Sequence, residues 1–515
     1  MQLSQSKLIM KLKAYFQFDN YQAVFKKEII GGLSTFLAMV YIMAVNPAIV
    51  GNAPLDPNNP LAGSARNFQG GLFLATAISA FLATMFMGLY ARVPVALAPG
   101  MGLNGFFAFT VAAQIGFESA LTATILSGLI YFFIVITPAR QKIASLIPAN
   151  LKLTIGVAIG FFIGYIGLQN SQIIVADGKA LATQLGDLGH PLVILAVCLL
   201  IIGLILHYAK VPGAIVLTMI LGAIILIPII MTNGFPGANP QSINPTVVGY
   251  QGFSTFGNVI QSGWKGFANP QMWKSPITYV AILSFLYVDF FDTTGMLITI
   301  DKSTQLSKHQ PKWLAKACVV DAISTFGGAS LGASTVQAFS ESVVGISAGA
   351  KTGFSAIVTA LCLGATIALW PIMQIFMPVD VVLNDQFRSF QPITGPVLII
   401  VGAIMIEQIK HFEWKYVVDI PVFFVTIVLM MLTNSIAYGL GFSTLAFVFL
   451  NGALGFVQTL KMRQQISSKI SVEQTSDAKA INYWKRLNWG LLIIALISLV
   501  YLILQTGIFY HNWFK

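Results

Sequence analysis

The chain has 515 residues, of which 56% are hydrophobic and only 9% charged, and its mean hydropathy is +0.79. Soluble domains carry about 25% charged residues, so this composition excludes a soluble enzyme, a disordered protein and a secreted disulfide scaffold. The formal net charge of +11 comes from lysines and arginines scattered between apolar runs. They do not form the dense basic stripe of a nucleic-acid-binding protein, so no nucleic-acid partner is expected. The composition indicates a polytopic membrane protein.

Apolar runs of membrane-spanning length recur along nearly the whole chain. A bilayer core about 30 Å thick needs about 20 apolar residues per helix. The first set of predicted spans is 29–50, 69–90, 94–115, 119–137, 152–172, 191–208 and 212–232. The second set is 277–300, 312–329, 333–348, 352–377, 392–409, 417–435 and 440–459.

Three further segments complete this organisation. Residues 233–276 are polar and rich in Pro, Gly and Asn, and we predict an external loop. Residues 460–487 are polar and basic, which indicates a cytoplasmic linker. The apolar run 490–508 is then either a fifteenth span or a helix along the edge of the protein.

The basic residues between the spans set the orientation. They fall on one side of the membrane when the N-terminus is placed in the cytoplasm, as the positive-inside rule requires. Seven spans in each half force the second half to be inverted relative to the first. Inverted repeats are a recurring plan of secondary transporters, with the binding site at the midplane. The predicted fold is therefore an all-α membrane protein of fourteen segments in two inverted repeats.

The third span of the first half is interrupted. Pro94 and Pro99 cannot continue a helix, and the residue before a proline is restricted to extended conformations. Residues 93–98 are therefore predicted to be extended, with a short helix from about Met101 onward.

The third span of the second half is interrupted at the corresponding place, by the glycines between Gly327 and Gly332. Ser334 or Thr335 is predicted to cap a half-helix, which places Glu341 about seven residues into that helix. Irregular backbone at membrane depth is tolerated only where protein or a water-filled cavity covers it. Paired interruptions point to a transport site, although two ordinary kinked helices are the alternative.

Acidic side chains inside spans cost about 2.5–3.5 kcal/mol each on insertion scales, so they need a role. Asp289 and Asp292 lie at positions i and i+3 and share a helix face. Two nearby carboxylates in a low dielectric cannot both ionise cheaply. One of them is predicted to load a proton on one side of the membrane and to release it on the other. The structural alternative is a carboxylate bonded by hydroxyls such as those of Thr293 and Thr294.

Candidate ligand-binding residues lie mainly in the two interrupted segments. The Glu341 carboxylate can accept two N–H groups from a flat heterocycle, and Asn104 offers both a donor and an acceptor. Phe107 and Phe339 offer faces for stacking, although packing alone explains a phenylalanine in so Phe-rich a chain. The candidate substrate-binding residues are Glu341, Asp289, Asn104, Phe107, Phe339, Ser340 and Thr335, and the candidate proton-coupling residues are Asp289, Asp292 and Glu341.

Three other acidic residues in or beside the spans are not assigned to the candidate site. Asp321 is expected to bond the free N–H groups of the interrupted segment. Glu28 and Glu407 lie at the cytoplasmic ends of spans and are expected to be solvated. The five histidines are isolated, so neither a metal site nor a cofactor is predicted.

Four motifs, in order along the chain, resemble those of one family. They are KEIIGGLSTFLAMVY at 27–41, ALAPGMGLNG at 96–105, YVDFFDTTG at 287–295 and GASTVQAFSES at 332–342. These motifs are similar to those of the AzgA-like adenine/guanine/hypoxanthine permeases, within the nucleobase/ascorbate transporter superfamily. The similarity extends over about residues 20–460.

The resemblance implies a fold of two domains, with each interrupted span contributing a short β-strand and a half-helix. A core domain would comprise 29–137 and 277–377, and a gate domain 138–232 and 378–459. The N-terminal segment 1–28 would be cytoplasmic. The segment 488–515 would be an extra hydrophobic region beyond the fourteen segments.

The resemblance also implies an activity, which is proton-coupled uptake of a purine base by movement of the core against the gate. Glu341 and Asp289 would contact or couple to the base, and Asn104 and Asp292 would support them. The expected location is the bacterial cytoplasmic membrane. A homodimer is a further implication. Phe339, Gly105 and Met296 depart from the residues usual in the family at these positions, which are Tyr, Ala and Thr.

Other classes of function remain to be weighed. A uracil, xanthine or ascorbate carrier of the same fold is the nearest alternative, but the Gln-Asn-x-Gly type of signature is absent from the span 333–348. An anion transporter should present helix N-termini to its ligand without carboxylates, which Glu341 and the Asp289–Asp292 pair oppose. A channel would need a continuous polar pore face. An enzyme would need a nucleophile, metal or cofactor constellation, and none is evident.

Overall fold

The computed structural model describes most of the chain. The described residues are 10–55, 59, 61, 65–137, 148–176, 183–211, 213–231, 251–304, 313–376, 378–383, 386–414, 416–433, 436–467, 483–488, 491, 492, 495, 496, 498, 499 and 502. The chain divides into two compact units. The first unit comprises Met1–Thr137 and Ile163–Ala403, and the second comprises Pro138–Phe162 and Ile404–Lys515.

The described residues are mostly helical, as predicted, with a few short strands. The elements up to residue 274 are α1 (Phe25–Met39), α2 (Ile42–Val50), α3 (Ala65–Phe86), β1 (Leu97–Pro99), α4 (Met101–Gly105), α5 (Ala112–Ile136), α6 (Ala149–Asn170), β2 (Ile174–Ala176), β3 (Thr183–Leu185), α7 (Pro191–Tyr208), α8 (Ala214–Met231), α9 (Phe256–Lys265) and α10 (Pro270–Lys274). The later elements are α11 (Pro276–Thr304), α12 (Trp313–Ser330), β4 (Val336–Ala338), α13 (Ser342–Ser347), α14 (Gly353–Ala365), α15 (Trp370–Met373), β5 (Val379–Leu383), β6 (Gln386–Phe390), α16 (Thr394–Ile406), α17 (Asp419–Leu432) and α18 (Ile436–Ser467).

Long apolar runs form most of these helices. Within the described part of the chain, seven helical stretches are long and apolar enough to cross a membrane: Phe25–Val50, Asn67–Ala91, Met101–Ile136, Leu153–Asn170, Pro191–Tyr208, Gly353–Phe376 and Tyr438–Leu460. Shorter apolar helices occur at Ala214–Ile229, Ile277–Phe290 and Asp419–Leu432. The prediction of a multi-pass membrane protein is confirmed, whereas the division into two inverted repeats of seven segments stays a prediction.

Two predicted spans differ in detail from the helices. The span 29–50 consists of α1 and α2, because the helix is interrupted at Val40 and Tyr41. The spans 94–115 and 119–137 are joined, because α4 continues through a π-helical stretch into α5. Within α5, Gly116 has a φ of +79°, a conformation that glycine adopts without a Cβ penalty, so the expected boundary between these spans is a kink.

The described part of the predicted external loop, residues 251–276, contains helices. In α9, Val259, Ser262 and Gly263 are buried, and the helix packs against α5 and α3. This helix is short and amphipathic, so it does not appear as an apolar run of membrane-spanning length. Asn269 then caps α10 by accepting a hydrogen bond from the Gln271 backbone N–H.

The packing of the first unit places the interrupted segments inside it. Helix α5 packs against α12 and α11, and α14 packs against α1 and α3. Strand β4 contacts α12, α11 and α3, and β1 contacts α3. The residues of β1 and β4 are buried throughout. The short strands therefore lie within a helical core.

Candidate functional site

The two interrupted segments meet as an antiparallel pair of strands. In β1 and β4, Leu97 lies opposite Ala338 and Pro99 opposite Val336. The Gly100 N–H donates to the Thr335 carbonyl over 3.1 Å, which extends the ladder by one bond beyond the strands. The predictions of an extended segment before a short helix, and of a strand in each interrupted span, are confirmed.

The start of the second half-helix was predicted wrongly. Ser334 and Thr335 precede β4, and the helix α13 begins only at Ser342. Glu341 therefore lies at the N-cap position of α13 rather than seven residues inside a helix. The reason is that the backbone of Val336–Ala338 pairs with β1, and these backbone groups are then not available for helical bonds.

A chain of buried polar side chains joins the two interrupted segments to α2 and α3. The Ser334 hydroxyl donates to the Asn104 carbonyl oxygen, and the Asn104 amide donates to Asn46. The Asn46 amide in turn donates to the Thr76 hydroxyl over 2.8 Å. All four residues are fully buried. Asn104 therefore holds the crossing of the two segments together, with both ends of its amide bonded.

Glu341, the acidic residue at the end of the second interrupted segment, is partly exposed. Its Oε1 accepts a hydrogen bond from the Tyr41 hydroxyl over 2.7 Å. Its Oε2 accepts one from the Ser340 hydroxyl over 3.2 Å, and Ser340 is exposed. Each carboxylate oxygen has two lone pairs, so both oxygens keep a site for a further donor.

The acidic residues of α11 and α12 lie behind this strand pair. Asp289 is fully buried, and its Oδ2 accepts a hydrogen bond from the Thr325 hydroxyl over 2.8 Å. Asp321 accepts a hydrogen bond from the Ala338 backbone N–H over 3.0 Å, which confirms its predicted structural role. Asp292 lies on α11, and its side chain falls outside the described part of the structure.

The other candidate residues lie at or beside the crossing. Phe107 is fully buried and packs against the rings of Phe117 and Phe285, with centroid distances of 5.8 and 6.2 Å. Phe339 is also buried, directly after β4. The Thr335 hydroxyl is buried and has no hydrogen-bond partner among the described residues. These three side chains line the protein interior rather than an exposed surface.

The prediction that Glu28 is solvated was wrong. Glu28 is 0% exposed, and its carboxylate accepts hydrogen bonds from the backbone N–H groups of Lys351, Thr352 and Ser355 over 2.7, 3.1 and 3.2 Å. The first N–H groups of a helix have no partner inside the helix, and the helix dipole favours a negative charge there. Glu28 therefore caps α14. Glu407, by contrast, is partly exposed beside Lys410.

Sequence reasoning missed Tyr41, Asn46 and Thr325 as contributors to the site. Tyr41 and Asn46 lie inside or next to the first motif, and each places a polar group in an apolar span. A polar side chain in such a span needs a hydrogen-bond partner, and this was the available signal. Among the described residues, no three His, Cys, Asp or Glu side chains gather as they would around a metal ion.

Comparison with known proteins identifies the class of this chain. The sequence profile of the permease family Xan_ur_permease matches residues 26–442, so the chain belongs to this family. The match confirms the membership that the four motifs predicted, among the nucleobase/ascorbate transporters.

Individual relatives agree with this membership, and one solved structure has a similar fold. The chain is 35% identical over 449 residues to the guanine/hypoxanthine permease PbuG of Bacillus subtilis, covering 85% of this chain and 92% of PbuG. It is 28% identical to the adenine permease AdeP of Escherichia coli, covering 87% and 92%. The fold is similar to that of the transmembrane domain of the cyanobacterial bicarbonate transporter BicA, with a TM-score of 0.54 at 15% identity, covering 79% of this chain and 96% of that domain.

Proposed function

We propose that this permease takes up purine nucleobases together with protons across the bacterial cytoplasmic membrane. Relatives named as guanine/hypoxanthine and adenine permeases match the chain over most of its length. The observation that carries the proposal is the carboxylate of Glu341, which is partly exposed beside the crossing of the two interrupted segments.

Recognition would depend on the two oxygens of this carboxylate. A purine base presents N–H groups at its edges, such as the ring N–H and the exocyclic amine that lie along one edge of guanine, and a carboxylate can accept two hydrogen bonds in one plane. Hydrogen bonds to an ionised acceptor are about twice as strong as neutral ones. Asn104 would support the site by fixing the crossing, and Ser340, Thr335, Phe107 and Phe339 would shape its surroundings.

Proton coupling would use the acidic residues behind the strands. Asp289 is buried and accepts a hydrogen bond from the Thr325 hydroxyl, and this hydroxyl oxygen also lies 2.9 Å from the Val336 carbonyl oxygen of β4. A change in the protonation of Asp289 would therefore alter the hydrogen bonding of the strand that precedes Glu341. Asp292 and Glu341 are the other proposed proton-coupling residues.

The proposed movement is that of an elevator. The core domain, 29–137 and 277–377, would carry the base against the gate domain, 138–232 and 378–459. The N-terminus would lie in the cytoplasm, where the positive-inside rule places it, and the permease would assemble as a homodimer. Together these statements describe a secondary transporter driven by the proton gradient.

The test is uptake of radiolabelled adenine, guanine and hypoxanthine into proteoliposomes, with and without an inward proton gradient. Accumulation of a purine that depends on the gradient would support the proposal. Uracil, xanthine and bicarbonate should be included, because they are the substrates of the alternatives, a uracil- or xanthine-type carrier and an anion transporter of the same fold. Uptake of uracil or bicarbonate, with none of the purines, would contradict the purine assignment.

Two variants connect the result to the site. Glu341→Gln should abolish saturable purine uptake, because an amide offers only one acceptor and places a donor against the ring N–H. Glu407→Gln is the matched control, since Glu407 is a partly exposed carboxylate paired with Lys410 in the second unit and is not part of the interrupted segments. If both variants take up purine as the wild type does, Glu341 does not bind the substrate.

A further inference from the structure

Tyr41 occupies an unusual place in the first unit. It lies in the break between α1, which ends at Met39, and α2, which begins at Ile42. Its side chain is only 2% exposed. Its hydroxyl donates to Oε1 of Glu341 over 2.7 Å, across 300 residues of sequence. The hydroxyl of a buried tyrosine ring is therefore hydrogen-bonded to the carboxylate that is proposed to bind the base.

The elements on either side of this hydrogen bond are held close together. Helix α1 packs against α13, and a Cβ added to Gly31 would lie 2.7 Å from the Gly345 carbonyl. At the other end of α1, Glu28 caps α14. The backbones of α1 and α13 therefore lie in close contact on either side of the Tyr41–Glu341 hydrogen bond.

The two hydroxyls on the Glu341 carboxylate differ in strength. The Tyr41 bond is 2.7 Å long and comes from a buried residue, whereas the Ser340 bond is 3.2 Å long and comes from an exposed residue. Water therefore competes more with the bond from Ser340 than with the bond from Tyr41. Tyr41 therefore restrains the position of Oε1, while Oε2, which accepts only the longer bond from Ser340, keeps a lone pair for a donor of a ligand.

We propose that Tyr41 is a positioning residue, which orients the Glu341 carboxylate so that it meets the N–H groups on one edge of a planar base. This proposal rests on the proposed substrate role of Glu341. Removing a hydrogen bond to a charged group costs about one order of magnitude or more in an equilibrium constant. Tyr41→Phe should therefore raise KM for the transported purine about tenfold, with Vmax per folded transporter within about twofold of wild type.

The matched control is Tyr131→Phe, which removes the hydroxyl of another buried tyrosine, packed against Phe290 on α11. This control should leave KM unchanged. Because KM does not depend on the amount of folded protein, a lower yield of either variant does not alter the comparison. Equilibrium binding of the same purine to purified protein should show the same ratio as KM.

The outcomes separate this proposal from the proposed function. If the wild type takes up no purine, the proposed function fails. If the wild type takes up purine and Tyr41→Phe has a wild-type KM and affinity, only the positioning role fails. A fall in Vmax with an unchanged KM would likewise overturn the positioning role, because it indicates a structural effect.

An independent set of contacts concerns the described residues after α18, all within the second unit. A Cβ added to Gly455 would lie 2.9 Å from the Trp484 ring, and the Trp484 indole N–H donates to the Thr459 hydroxyl over 3.1 Å. Further on, the Thr444 hydroxyl donates to Ser498 over 2.9 Å. A Cβ on Gly441 would lie 3.8 Å from Leu502.

These contacts show that the residues after α18 run in the direction opposite to α18. Trp484, early in the segment, contacts Thr459 near the end of the span, and Leu502, later in the segment, lies beside Gly441 near its start. The described positions between 491 and 502 are helical. The part of α18 that they follow, Tyr438–Leu460, is one of the stretches able to cross a membrane. The contacts therefore run antiparallel along almost the full length of that span.

We infer that the C-terminal apolar segment, 490–508, crosses the membrane antiparallel to α18 rather than lying along the edge of the protein. The C-terminus would then lie on the opposite side of the membrane from the linker 468–482. The test places one cysteine at a time at Ser476 or Lys515, in a chain whose native cysteines are replaced by serine. Intact cells are then treated with a membrane-impermeant maleimide.

One of the two cysteines should be labelled in intact cells, and the other only after the cells are made permeable. Labelling of both positions from the same side would overturn the inference. An unchanged melting temperature of each purified cysteine variant serves as the control for folding. Because labelling reports only the side of the membrane, this result does not depend on the identity of the substrate.

Discussion

The buried ion pair of the second unit gives the most quantitative prediction. The Arg486 guanidinium donates to both oxygens of Asp419 over 2.8 and 2.7 Å, and the two side chains are only 13% and 3% exposed. Arg486 also lies over the Tyr416 ring, 4.1 Å from its centroid. We predict that Arg486→Met destabilises the protein, because it leaves the Asp419 carboxylate buried without its counter-ion.

The size of the effect follows from what remains around Asp419. Breaking a buried pair by removing one partner costs about 3–5 kcal/mol. Asp419 keeps a hydrogen bond of 2.6 Å from the Asn150 amide, so the lower end, about 3 kcal/mol, is expected. With about 2 °C per kcal/mol, the lower value for larger domains, Tm should fall by on the order of 6 °C.

The double variant Arg486→Met/Asp419→Leu isolates the interaction, because it removes both charges. Replacing a whole buried pair by apolar residues is often neutral or stabilising. The Asn150 amide also keeps a bond of 3.0 Å to the Glu413 carbonyl. Thermal unfolding of detergent-purified protein should therefore show the double variant closer to wild type than either single variant. A fall equal to the sum of the two single falls would mean that the charges are not coupled, and the reasoning would be refuted.

Three further predictions concern the first unit. Glu28→Ala should lower Tm by more than the loss of an ordinary helix cap, which costs about 0.5–2 kcal/mol, because it leaves several buried N–H groups unpaired; a wild-type Tm would argue against a capping role. Gly100→Ala places a methyl group 2.6 Å from the Gln337 amide nitrogen, so purine uptake should fall, whereas the added methyl group of Gly327→Ala has no atom of a described residue within 4 Å, and this variant should transport normally. Asp289→Asn should exchange purine but no longer accumulate it under a proton gradient; unchanged gradient dependence would assign the proton to another group.

The interrupted segments could be predicted from sequence because their causes are local. Pro94 and Pro99 exclude a helix wherever they occur, and the structure has an extended segment and a short helix at the expected places. The role of Asp321 could also be predicted. An interrupted span must contain free N–H groups, and a buried carboxylate needs donors.

Other features could not be predicted because their causes are distant in sequence. Ser334 and Thr335 have the residue types of a helix cap, but Val336–Ala338 pairs with a strand in the other half of the chain. Glu28 has the sequence position of a solvated residue, and its burial depends on the start of α14. A local sequence pattern does not show which element will pack against a given residue in the folded chain. The hydrogen bond from Tyr41 to Glu341 could not be predicted for the same reason.

The measurement that tests the central claim most directly is equilibrium binding of radiolabelled hypoxanthine, guanine and adenine to purified wild type, Glu341→Gln and Glu407→Gln. The account predicts saturable binding of at least one purine to the wild type and to Glu407→Gln, and its loss in Glu341→Gln. Equal affinity of all three proteins for the same purine would contradict the account, because the base would then bind without the carboxylate at the start of α13.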